Sequence, residues 1–111
     1  MRFAMVVTTA DSQFSAVALR GDLGDSFSRV KKLGYQGVEL SFREPKKVGT
    51  DALRSLLEKH DLEAVALATG RSWGEDGLSF TNPDAAVRRN ADVRMRTLEA
   101  GSPIIHNGWL R

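Results

Sequence analysis

Cysteine is absent from the chain, which rules out disulfides, thiolate catalysis and cysteine-based zinc sites together. Long apolar runs are absent as well, and nothing approaches the roughly 20 residues that a membrane span requires. Neither sign of charge dominates: 16 Lys and Arg against 14 Asp and Glu leave +2, too little to imply a nucleic-acid partner. Arg88, Arg89, Arg94 and Arg96 do cluster, but Asp84, Asp92 and Glu99 are interspersed, so the segment reads as a solvated helix face. Arg2 before Phe3–Val7 faintly resembles a signal peptide. That apolar run is short, however, and Thr8, Thr9 and Asp11 follow it, which suits a first β-strand. The expectation is a cytoplasmic protein with no membrane or nucleic acid among its partners.

What is present is one domain of 111 residues, 41% hydrophobic and 27% charged, long enough to bury a core. The most informative stretch is Leu33 to Pro45, where a helix ends on Gly34, a strand follows, and Glu39 and Arg43 lie at or just past the strand's end. The first strand is predicted over residues 2–8, with a loop over 9–21. Asp22 caps a helix carrying Leu23, Phe27, Val30 and Leu33 at helical spacing, and Gly34 supplies its left-handed stop. A second strand spans 36–42. Thr50 caps a second helix through Lys59, with Leu53, Leu56 and Leu57 inward. A third strand spans 63–68, and a long glycine-containing loop runs from Thr69 to Thr81. Asn82-Pro83 opens a third helix with Val87, Ala91, Met95 and Leu98 inward, since proline in the first turn forfeits no hydrogen bond. Gly101-Ser102-Pro103 ends it, and Ile104-Ile105-His106 reads as a fourth strand.

Strands alternating with helices imply parallel pairing through right-handed crossovers. In strand two, Val38, Leu40 and Phe42 point one way and Gly37, Glu39 and Ser41 the other. Strict alternation in strand three places Val65 and Leu67 opposite Ala64, Ala66 and Ala68. One bulky face and one small or polar face suit a (β/α) barrel, whose lumen leads to an active site at the strands' carboxyl ends. A doubly wound sheet needs large apolar residues on both faces, and Glu39 and the three alanines oppose it. The fold class is therefore α/β, a partial (β/α) TIM barrel of about four parallel strands and three helices.

The segments LGYQGVELSFREPKKV, LRSLLEKHDLEAVALATGR and EDGLSFTNPDAAVRRNA, with the loop SQFSAVALRGDL after strand one, resemble the sugar phosphate isomerase/epimerase family of xylose-isomerase-like TIM barrels. The resemblance runs from about Phe3 to Ala91. Family chains are more than twice as long, so it implies the N-terminal half of a barrel and a chain that is inactive alone. It implies metal-assisted proton transfer on a ketose-type sugar or sugar phosphate, with a divalent metal such as Mn, Mg or Zn. The family's metal ligands and proton-transferring glutamates lie on later strands. No catalytic residue or metal ligand is therefore assigned to this chain.

Five residues stand out as substrate-binding candidates. Glu39, on the small-residue face, is placed to bind a sugar hydroxyl or brace a metal ligand, against the alternative of an ion pair with Arg43 or Lys46. Arg43 offers a planar fork for phosphate or hydroxyl, against a surface pair with Glu44. Arg71, within Gly70-Arg71-Ser72, follows strand three where backbone amides can approach an anion. Trp73 lies in the long loop and is suited to stacking on a sugar ring. His106 ends the fourth strand, but a single histidine makes no metal site. His60 closes helix two and reads as structural. Open sheet edges need a partner, which predicts a homodimer completing the barrel. The alternative from another class is a non-enzymatic sugar- or phosphate-binding module using Arg43, Arg71 and Trp73.

Overall fold

A computed structural model of the chain describes residues 2–9, 19–42, 49–68 and 70–100, the side chains of 98–100 excepted. Its sheet has four strands, β1 (Ala4–Thr8), β2 (Leu19–Arg20), β3 (Gly37–Ser41) and β4 (Glu63–Ala68), all parallel in the spatial order β2-β1-β3-β4. Four helices accompany it: α1 (Leu23–Lys32), α2 (Thr50–Lys59), α3 (Arg71–Gly74) and α4 (Ala85–Ala100). Among the described residues the sheet is open, and no helix is long and apolar enough to cross a membrane.

After β2 forms at one edge beside β1, the chain crosses through α1 to β3 on the other side of β1 and then through α2 to β4 at the opposite edge. Right-handed crossovers taken in one direction put both helices on one side of the sheet. The core confirms it: Val7, Val38, Leu40, Phe42 and Ala64 of the strands and strand ends share one cluster with Leu23, Phe27 and Val30 of α1 and Leu53 and Leu57 of α2. Phe27, fully buried, is the largest of them, and each such side chain contributes about 1.5–3 kcal/mol by leaving water.

Local chemistry explains the element ends. The Asp22 carboxylate accepts from the Asp25 amide at 2.9 Å and caps α1. Gly34, at φ +89°, makes the left-handed turn that releases the chain into β3. His60 closes α2 and stands edge-on to Phe27, 6.2 Å between ring centroids.

Several predicted details are corrected. A strand forms at Leu19–Arg20 inside the segment read as a loop, pairing Val7 with Leu19 and Thr8 with Arg20. The predicted fourth strand at 104–106 lies outside the described residues. A fourth helix, α3, forms inside the segment read as a long loop. Leu33 ends α1 on its exposed side rather than its buried one. Gly49, not Thr50, is the N-cap of α2, and no side chain bonds there. The last helix begins at Ala85, two residues after Pro83, with the Asp84 carboxylate accepting from the Ala86 amide at 2.8 Å.

The most consequential correction concerns β4. Its pairing with β3 runs Val38 to Ala64 and then Glu39 to Ala66, so Val65 is an extra residue in a bulge. Strict alternation fails there. Ala64 joins the helix-covered core at 1% exposure, Leu67 packs against that core, and Ala66 and Ala68 remain on the second face.

Candidate functional site at the strand carboxyl ends

The face of the sheet away from α1 and α2 carries Ala4, Val6 and Thr8 from β1, Gly37, Glu39 and Ser41 from β3, and Ala66 and Ala68 from β4. Apart from Val6 these are small or polar residues, and the register aligns them in rows: Val6, Glu39 and Ala66 form one, Thr8, Ser41 and Ala68 the next. The latter is the last row before the strands end. Glu39 is half-buried, and its carboxylate makes no hydrogen bond or ion pair among the described residues. It sits two residues before Ser41, about 6.6 Å along the strand.

Arg71 covers the last row. Its side chain is 2% exposed, and one terminal nitrogen donates to Thr8 Oγ1 at 2.9 Å and to the Ser41 carbonyl at 3.4 Å. Thr8 Oγ1 in turn donates to the same carbonyl. The other terminal nitrogen meets Glu75 Oε2 at 2.8 Å, with Glu75 itself only 11% exposed. A buried guanidinium is tolerated when a carboxylate and neutral acceptors replace its water. Here they come from the ends of two adjacent strands and from one helical turn further along the chain.

Glycines bound this turn: Gly70 precedes α3 and Gly74 ends it, and among the described residues a Cβ at either would meet nothing within 4 Å. Ser72 is buried, and its hydroxyl has no hydrogen-bond partner among the described residues. Trp73 points outward at 71% exposure. Beyond it, Asp76 Oδ2 accepts from Arg94 of α4 at 2.8 Å, with both side chains mostly buried. Arg71 ties the turn to the sheet and Asp76 ties it to the last helix. Arg94 thus departs from the solvated face predicted for the arginine cluster, while Arg88, Arg89 and Arg96 lie on it.

Of the five candidate residues, the fold brings Glu39 and Arg71 to the same face of the sheet and places Trp73 on the turn that carries Arg71. Arg43 and His106 lie outside the described residues. Glu75 is a partner that sequence reasoning missed, though its spacing of four residues from Arg71 is the signal for a helical ion pair. Thr8 becomes readable only once β1 has a register.

A shallow cleft of about 190 Å³ opens instead at the amino ends of the strands, lined by Arg2, Lys31, Gln36, Asp61 and Glu63. Its charges are matched, Lys31 with Asp61 at 3.0 Å and Arg2 with Glu63 at 3.9 Å. Exposed pairs of this kind hold little energy and select no ligand.

Among the described residues no group of three or more histidine, aspartate and glutamate side chains is placed to hold a metal ion. Glu39 is a lone carboxylate in its row, so these residues do not form the ligand set that a divalent metal needs. Compared with known proteins, the sequence matches no family model and no curated protein.

Proposed function

We propose that the chain belongs to a xylose-isomerase-like half-barrel that takes a sugar or sugar phosphate at the carboxyl ends of its strands and works in the cytoplasm. The observation that supports this most is Arg71, anchored over the ends of β1 and β3 on the small-residue face that also carries Glu39. In parallel α/β barrels that end of the strands is where substrates bind. Glu39 supplies an acceptor for hydroxyl protons, Arg71 a fixed positive centre, and Trp73 an apolar plate at the rim.

Isomerisation or epimerisation is assigned to the completed barrel, not to these strands alone. The part these residues play is to bind and orient the sugar, and the metal-assisted proton transfer falls to the wall that completes the barrel. A second copy is the simplest way to close the open edges, although it repeats the same described residues and so adds no ligand set of a new kind. Among the described residues β4 has no strand beyond it, and Ala4–Val6 have none on the side where β2 pairs only Val7 and Thr8. Parallel closure then joins β4 of each copy to β1 of the other.

The test is the light-scattering mass of the purified chain, followed by titration with a ketose phosphate with and without Mn²⁺. A mass of twice 12.2 kDa with saturable binding and metal-dependent turnover supports the isomerase reading. Saturable binding that survives a chelator without turnover favours the non-enzymatic module. A monomer that binds neither the phosphorylated nor the free sugar overturns both.

A further inference from the structure

We draw no further inference here: the strongest candidate, the apolar surface patch at the amino ends of the strands where the exposed Phe3 ring stands edge-on to half-buried Tyr35 and Leu33 is exposed two residues before it, carries nothing because nothing in the structure shows what covers it.

Discussion

Ala64→Leu and Ala66→Leu are the same substitution two residues apart on β4, and the bulge at Val65 gives them different outcomes. Ala64 is 1% exposed and lies among Val38, Leu40 and Leu57 in the helix-covered core. Three extra carbons there have no room, and overpacking of this kind costs about 1–3 kcal/mol. Ala66 lies beside Glu39 on the second face and is only partly buried. Its enlargement falls within the roughly ±0.5 kcal/mol typical of surface changes. The difference of about 2 kcal/mol is a large part of a total stability of about 5–15 kcal/mol. With a urea slope of about 1.5 kcal/mol/M, the Ala64 variant should unfold roughly 1.3 M earlier than the Ala66 variant. Urea titration followed by far-UV circular dichroism measures both midpoints. Equal midpoints mean that β4 alternates strictly and that its two alanines share a face; the bulge, and the composition of the second face, are then wrong.

Phe27→Ala removes the largest fully buried side chain and should lower stability by about 3–5 kcal/mol in the same titration. Gly34→Ala imposes a side chain on a backbone at φ +89° and should cost about 1–2 kcal/mol, read as a lower melting temperature. Asp61 holds φ +51° without being glycine, so Asp61→Gly should be neutral or stabilising while Asp61→Val costs about 1–2 kcal/mol; equal melting temperatures contradict the strain. Arg71→Met alone leaves Glu75 buried without its cation and should cost about 3–5 kcal/mol, whereas adding Glu75→Gln should recover part of that loss. A double-mutant cycle with no coupling shows that the pair is screened.

The parts of the fold that are legible in the sequence are those with a repeating physical signal. The Asp22 cap, the apolar stripe of α1 and the turn at Gly34 follow from short-range rules, and so does the alternation of Val38 and Leu40 with Glu39 and Ser41. The failures have equally local causes. β2 is two residues long and has no period to detect. α3 is a single turn bounded by glycine and also lacks one. Ala64 falls on the wrong face in a strict alternation because a bulge inserts one residue, which period-two reading cannot register. At the candidate site, Glu39 and Arg71 are legible as charged residues near strand ends. The partners of Arg71 require the register of β1 against β3, a contact across 33 residues of chain for Thr8 and Ser41. Only its pairing with Glu75 is available from spacing alone.

The order in which the strands are laid down has a consequence for synthesis. A chain emerging amino end first has β1, α1 and β3 by Ser41, a complete crossover unit with Phe27 and Val30 already facing Val7, Val38 and Leu40. β4 then adds to the edge that β3 presents after only one more helix, so each described strand after β1 joins one already made. Each addition closes a loop of similar, moderate length, and the entropy lost per step stays small. Growth of this kind lets the nascent protein hold structure before its last helix leaves the ribosome. The turn that carries Arg71 is then set down on a sheet that already exists.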